Sequence, residues 1–365
     1  MSAPFDIVFV GLSLSSSWGN GHATTFRSLI RGLNAHGKRV LFLERDVPWY
    51  ANNRDLPNPD FCTLEYYTSV DDLARFQPAL QAADAVIVGS YVPEGVAVID
   101  ALHALELKQF CFYDIDTPVT LAKLMRDDEE YLAKRQIRLF DIYFSFSGGP
   151  VLDRLEQEFG AQSAMPLYCS VDAERYGPTE DGKQWDLGYL GTYSLDRQPT
   201  LENLLIEPAR RLPHLRFVVA GPQFPSDIKW PENVERIEHL PPAEHRSFYN
   251  RQRFTLNVTR ADMIASGWSP SVRLFEAAAC GTPVISDIWN GIEDLLPAGE
   301  AILLARTTDD VVTALTQITE TERQSLAAAA RRHVLAEHTS AARSGELIAM
   351  LDIAADRGQK IAQEG

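Results

Sequence analysis

Cysteine is scarce in this sequence, four residues in 365, and Cys62, Cys111, Cys169 and Cys280 lie far apart with no CxxC pair and no His/Cys ligand spacing. That pattern argues against a zinc centre or a dithiol redox pair, and the apolar surroundings of each predict a reduced core thiol. No apolar run is long enough to span a bilayer, so no integral membrane segment is expected. The opening "MSAPFDIVFVGLS" carries an acid and no basic n-region, so no secretory signal is expected either, and the expected compartment is the cytoplasm. Positive charge is also short. Against 50 Asp and Glu stand 34 Lys and Arg, a net charge of -16, with no local basic patch. Such a chain repels phosphate backbones, which excludes nucleic acid as an expected partner. No self-similarity of fixed period is found, which excludes a repeat array.

What is present is ordinary globular composition, 45% hydrophobic and 23% charged. The length exceeds what one core usually fills and predicts two domains. Short apolar runs alternate with helix-period segments throughout, the pattern of parallel sheets covered on both faces by helices. The first series is "DIVFVGL", "RVLFLE", "DAVIVG", "QFCFYD" and "DIYFSF". Between the first two runs, Phe26, Leu29, Ile30 and Leu33 share a helical face, with Thr24 as the expected N-cap. Polar, aperiodic "AERYGPTEDGKQ", residues 173–184, reads as a linker. A second series follows: "WDLGYLG", "RFVVAG", "VERIE", "FTLNV", "PVIS" and "AILL". The expected organisation is an N-terminal α/β domain over 1–172, a C-terminal α/β domain over 185–338, and a helical tail over 339–365 that packs back on the first domain, with turn breaks near Thr339 and Arg357.

In open α/β sheets a ligand sits beyond the carboxyl ends of the strands, so the chemistry is sought in the loops that follow them. In "SLSSSWGNGHATT", residues 13–25, Gly19 and Gly21 permit close backbone approach, and the next helix offers roughly half a positive charge to an anion. The loop reads as a phosphate or glycosyl cradle or as a permissive turn. It has neither GxGxxG nor a GK[ST] ending, which weakens hydride-transfer and NTPase readings. His22, with Asn20 close by, is the candidate general base or acceptor-binding group. "FYDIDTP" sets Asp114 and Asp116 at a strand end. Two carboxylates alone do not make a metal site, and none is expected. Asp116, with Asp114 and Thr117, reads as holding substrate hydroxyls; an Asp N-cap for the helix near Pro118 is the other reading. In "SGWSPSVRLFEAAACG", Ser269, Pro270, Ser271 and Val272 lead into a helix start suited to a diphosphate, and Glu276 follows among apolar residues.

"SPSVRLFEAAACGTPVIS" resembles the nucleotide-binding motif of retaining GT-B glycosyltransferases of the family-four type. With "LNVTRADM", "DIWNGIEDLL" and "DIDTPVTLAKL", it is most similar to the CgeB-like, spore-maturation type. The resemblance covers the second domain well and the first loosely. It implies two Rossmann-like domains facing a cleft, the N-terminal one acceptor-binding and the C-terminal one nucleotide-sugar-binding, and no bound cofactor or metal, with a nucleotide diphosphate sugar as the donor substrate. It implies that Glu276 binds the ribose and that the backbone at Ser269, Ser271 and Val272, beside Pro270, holds the β-phosphate. By the same resemblance Arg197 meets the diphosphate, where Arg260 can serve likewise, and the base lies near Gly221, Pro222, Leu240 and Pro241. The family commonly has a second glutamate eight positions before Glu276; here that position is Trp268. Its indole either stacks on a sugar or packs as an ordinary aromatic.

The reading is a cytoplasmic, metal-independent glycosyltransferase that takes a UDP-, GDP- or dTDP-linked sugar to a hydroxyl-bearing acceptor such as a glycan, lipid-linked sugar or small molecule, with retention. Arg197, His22 and Asp116 are its expected catalytic residues. The alternatives are a nucleotide-sugar epimerase of the same fold and a non-catalytic nucleotide-sugar-binding or scaffold protein.

Overall fold

The computed structural model describes residues 4–364. The chain divides into two compact units: unit 2 is Val171–Thr339, and unit 1 is the chain up to Ser170 and again from Ser340. The described residues of unit 1 form one parallel sheet of β1 (Ile7–Gly11), β2 (Val40–Arg45), β3 (Thr63–Tyr67), β4 (Ala85–Gly89), β5 (Phe110–Asp114), β6 (Ile142–Ser145) and β7 (Ala164–Pro166), in the order β3-β2-β1-β4-β5-β6-β7. Val10 pairs with Leu43 on one side and Val88 on the other. Alternate residues serve opposite cores: Val8, Leu41, Val86 and Phe112 pack on one face, and Phe9, Phe42, Ile87 and Cys111 on the other. This explains why the central strands read as unbroken apolar runs. Each large side chain so buried contributes about 1.5–3 kcal/mol relative to exposure.

Helix His22–Ala35 and the last helix, Ser340–Glu364, lie together on the Phe9 face. Ser28 Oγ sits 2.7 Å from Ser340 Oγ and 2.8 Å from Ser170 Oγ, so small polar residues bring the backbones close. Leu347 and Leu351 join the apolar cluster beneath them, and Gln109 donates to the Leu351 carbonyl at 2.7 Å. The break expected near Arg357 does not occur, because a lone glycine costs a helix only about 1 kcal/mol. The helix runs unbroken to Glu364.

The described residues of unit 2 form a second parallel sheet of β8 (Trp185–Leu190), β9 (Phe217–Ala220), β10 (Val234–Ile237), β11 (Gln252–Asn257), β12 (Val284–Ser286) and β13 (Leu303–Leu304), in the order β10-β9-β8-β11-β12-β13. Residues 173–184 do not form a free connector. The carbonyls of Gly177 and Pro178 accept from Arg246, Thr179 N–H donates to Asn250 Oδ1, and Lys183 donates to the Asn250 carbonyl, so the segment is tied to the helix His245–Asn250 within unit 2.

Candidate functional site

Each sheet has one place where successive connections depart in opposite directions: between β1 and β4 in unit 1, and between β8 and β11 in unit 2. Loops leaving such a point diverge and open a crevice at the carboxyl ends of the strands.

In unit 1 the loop after β1 is held by a buried acid. Glu44, at the end of β2, accepts from Leu14 N–H at 2.7 Å, Ser15 N–H at 2.8 Å, Ser15 Oγ at 2.6 Å and Ser13 Oγ at 3.2 Å. Arg27 adds a bond to the Leu14 carbonyl and an ion pair with Asp55 at 2.7 Å. Burial alone raises the Asp55 carboxyl, but the bonds from Arg27 and Ser17 outweigh it and hold the group at about 2. Gly19 has φ +67°, which favours glycine, whereas Gly21 has an ordinary right-handed conformation; neither α-carbon has protein packed against it. The helix begins at His22, so Thr24 lies inside it, and Asn20 Oδ1 caps the first turn by accepting from Ala23 N–H at 2.9 Å. Asn20 was expected to bind an acceptor; its amide is engaged in holding this turn, with Nδ2 donating to the Ser16 carbonyl.

His22 and Asp116 are brought together through a residue that sequence reasoning missed. Tyr91, just past β4 with φ +62°, meets the His22 ring edge-on at 5.2 Å and donates to Asp116 Oδ2 at 3.4 Å. Its ring lies 4.3 Å from that of Tyr131. Burial lowers His22 to about 4, and its Nδ1 is buried with no hydrogen-bond partner among the described residues. A neutral imidazole with an open ring nitrogen suits a hydroxyl ligand better than it suits proton abstraction near pH 7.

Asp114 and Thr117 correct the expectation that they meet substrate: both are fully buried. Asp114 ends a strand flanked on both sides. Its carboxylate accepts from Thr120 Oγ1 at 2.7 Å and Tyr143 OH at 2.6 Å, while Thr117 Oγ1 accepts from Phe146 N–H at 3.1 Å. Together they underpin Asp116, whose N–H donates to Asp114 Oδ1 at 3.2 Å. Burial raises Asp114 to about 6 against the bonds from Thr120 and Tyr143. A folded value above the unfolded one, about 3.9, means that the stabilisation is full below pH 4 and is lost as pH rises through 6. Thermal melts of the wild type and Asp114→Asn should therefore diverge between pH 4 and 7, the wild type losing on the order of 3 kcal/mol relative to the variant. Parallel pH curves would refute the raised value.

In unit 2 the second crevice gathers cations. Arg197 follows β8 and donates to the Thr192 carbonyl at 2.6 Å, while its Nε is buried without a partner. Burial lowers its pKa, and the charges of Arg273 and Arg260 act in the same direction. Arg260 follows β11 and is exposed. Arg273, which the sequence reading left unassigned, is only 8% exposed. It donates from Nε to the Leu190 carbonyl at 2.8 Å and from Nη1 to Asn257 Oδ1 at 2.7 Å, and lies over the Tyr189 ring. None of the three arginines has a carboxylate at ion-pair distance among the described residues. The helix Val272–Ala279 starts beside them, and Ser271 does not cap it, because its hydroxyl donates sideways to Asn257 Oδ1 at 2.9 Å. Ser269 is buried, with its hydroxyl on the Gly267 carbonyl, and Pro270 is buried after it.

Gly221, with φ +136°, lets β9 end against the loop after β8: a Cβ there would lie 2.1 Å from the Gly191 carbonyl oxygen. The Pro222 carbonyl accepts from Tyr193 N–H at 3.1 Å, and Leu240 and Pro241 lead into the short turn Pro242–Glu244. Arg236, on β10, reaches the Gly221 carbonyl at 3.0 Å and lies over Phe224 and Trp230. Trp268 takes φ +42° and lies against Gly291; its indole N–H donates to Asp294 Oδ2 at 2.7 Å. Of the two readings of this indole, packing has the direct contacts. Glu276 is only 4% exposed and is held by a tyrosine hydroxyl, Tyr249 donating to Oε2 at 3.0 Å, while burial and the nearby Glu276 charge push the Tyr176 hydroxyl up. Tyr176 comes from the stretch that reads as a linker.

Among the described residues no three His, Cys, Asp or Glu side chains are grouped as a metal site, and no helix is long and apolar enough to cross a membrane. Residues 197–349 match the family described as glycosyl transferase-like. No curated protein matches significantly. Sucrose-phosphate synthase from Thermosynechococcus elongatus superposes with TM-score 0.67 at 14% identity, covering 96% of this chain and 100% of that one. Anabaena HepE, solved in complex with UDP and glucose, gives 0.71 at 12%, covering 95% and 99%. A glycosyltransferase involved in avilamycin A biosynthesis gives 0.63 at 13%, covering 97% and 98%. Identities this low speak for the fold. Residues 197–349 are thus similar to the glycosyl transferase-like family, and the chain as a whole has the GT-B fold of two Rossmann-like parallel-sheet domains.

Proposed function

We propose that the protein transfers a sugar from a nucleotide diphosphate sugar to a hydroxyl-bearing acceptor, with retention at the anomeric carbon, and that it is of the CgeB-like type. The observation that carries the donor reading is the cluster of Arg197, Arg260 and Arg273, unpaired by carboxylates among the described residues, beside an uncapped helix start in a chain of net charge -16. Cations left without a counter-charge where acids are in excess call for an anionic ligand, and a diphosphate matches both the guanidinium forks and the helix terminus. UDP in a neighbour of the same fold supports that ligand class. As the glycosidic bond breaks, charge grows on the departing diphosphate, where Arg197 and the helix start stabilise it. In unit 1, His22, Tyr91 and Asp116 orient an acceptor hydroxyl. Glu276 holds the ribose through the lone pairs that Tyr249 leaves open. We place the reaction in the cytoplasm.

The test is a thermal-shift series with uridine, guanosine and thymidine diphosphates and their sugars, since a ligand at about 100 times its Kd adds roughly 2.7 kcal/mol of stability. One nucleotide family should shift the melt, and free nucleoside diphosphate should form only when an acceptor is present. Silence toward all three would sink the donor reading, and binding without turnover for any donor would favour a non-catalytic binder. The proposed chemistry draws on no metal, so turnover should persist in excess chelator; activity lost to chelator and restored by a divalent ion would overturn that part.

A further inference from the structure

Two of the few exposed large apolar side chains in the described residues are tryptophans on adjoining segments of unit 1: Trp18, 58% exposed, in the loop after β1, and Trp49, 52% exposed, in the short helix Pro48–Ala51 after β2. An exposed indole is expensive to leave in water, and two on neighbouring segments are more than the single scattered hydrophobics of ordinary surfaces. The segments that carry them are tied together through their backbones. Trp18 N–H donates to Ser16 Oγ at 3.2 Å, Ser16 Oγ donates to the Asn53 carbonyl at 2.7 Å, and Asn53 Nδ2 donates to the Trp49 carbonyl at 2.7 Å. Glu44 and the Arg27–Asp55 pair anchor the same loops from below. Such anchoring reduces the ordering cost that a ligand would otherwise meet.

We propose that Trp18 and Trp49 form a stacking platform for a neutral oligosaccharide, which makes the acceptor of the reaction a glycan; this rests on the transferase reading above. The charge pattern selects the occupant. The arginines of these loops are already ion-paired, Arg54 with Asp46 and Arg27 with Asp55, each at 2.7 Å, so no free cation awaits a phosphate, an anionic lipid or a nucleic acid. Pyranose rings present an apolar C–H face to an indole, and the Asn20 and Asn53 amides beside the tryptophans are spent on holding the loops, Asn20 Nδ2 on the Ser16 carbonyl and Asn53 Nδ2 on the Trp49 carbonyl, so the indoles are the surface left to a sugar. The platform is continuous with the candidate site, because the loop bearing Trp18 ends in His22.

The experiment is saturation-transfer NMR on the full chain with maltohexaose, cellohexaose and mannohexaose at millimolar concentration, alongside calorimetric titration of the nucleoside diphosphate that shifts the melt. At least one oligosaccharide should bind. Trp18→Ala and Trp49→Ala should each weaken it by about fivefold or more, Trp18→Phe and Trp49→Phe by less, with nucleoside diphosphate affinity and the melting temperature unchanged. The platform is overturned if none of the three binds, if binding survives the double alanine variant, or if the tryptophans instead mediate attachment to phosphatidylglycerol vesicles or to a protein. An oligosaccharide held through the tryptophans by a chain that takes no nucleoside diphosphate would keep the platform and remove the transferase reading, so the two failures are distinguishable.

Discussion

Arg197→Ala is expected to raise the Kd for the nucleoside diphosphate roughly tenfold to hundredfold and to leave that for the nucleoside nearly unchanged. The size follows from losing a hydrogen bond between charged groups, about 1.5–3 kcal/mol. The selectivity follows from position: Arg197 lies in the loop after β8, and among the described residues its guanidinium bonds only to the Thr192 carbonyl, so little of the fold depends on that side chain. Arg273 makes the contrast. Removing that side chain strips donors from the Leu190 carbonyl and Asn257 Oδ1, both inside unit 2, so Arg273→Met should lower both nucleotide affinity and the melting temperature. Calorimetric titration of nucleoside and nucleoside diphosphate against each variant, with melts run in parallel, checks both. Equal losses on the two ligands in Arg197→Ala would remove Arg197 from the phosphate site.

The central strands were legible because burial on both faces writes them as continuous apolar runs. β3 and β7 were not, since β3 alternates exposed and partly buried residues at the sheet edge and β7 is only Ala164–Pro166. The crevices were half legible. A strand end and a Gly-rich or Ser-Pro loop can be read locally, and so His22, Asp116, Arg197 and the helix at Val272 could be put forward as candidates at strand ends. Which strand ends are neighbours is a property of the sheet order, and so Tyr91 could not be joined to His22. Arg273 was hidden for another reason: an arginine in a helix ordinarily marks a solvent face, and only the fold shows that this one is buried beneath β8. Asp114 misled in the opposite direction, since a DxD pattern does not say which carboxylate points inward. The sign for Tyr91 was present all along in its place after a strand ending in Gly89, though not in a recognised motif.

Glu276 has the largest effect to predict, and the structure changes the form of the prediction. A carboxylate projecting into open solvent could be replaced at little cost to the fold, but this one is buried and receives the hydroxyl of Tyr249. Glu276→Ala should therefore destabilise unit 2 by about 1–3 kcal/mol for the hydroxyl left unsatisfied, and Glu276→Gln by less, because an amide oxygen still accepts. Ligand affinity should fall on top of this. If the remaining lone pairs hold the two ribose hydroxyls, each lost bond to the charged group costs about 1.5–3 kcal/mol, so the alanine variant loses on the order of a hundredfold or more in nucleotide binding. Stability and recognition are separated by a double cycle in which the wild type and Glu276→Gln are titrated with the nucleotide and with its 2′,3′-dideoxy analogue at a temperature where both proteins are folded. Contact with the ribose makes the losses non-additive, the substitution costing little once the hydroxyls are gone. Additive losses would mean that the carboxylate serves only Tyr249, and the helix Val272–Ala279 would then hold phosphate at its start but no ribose along its length.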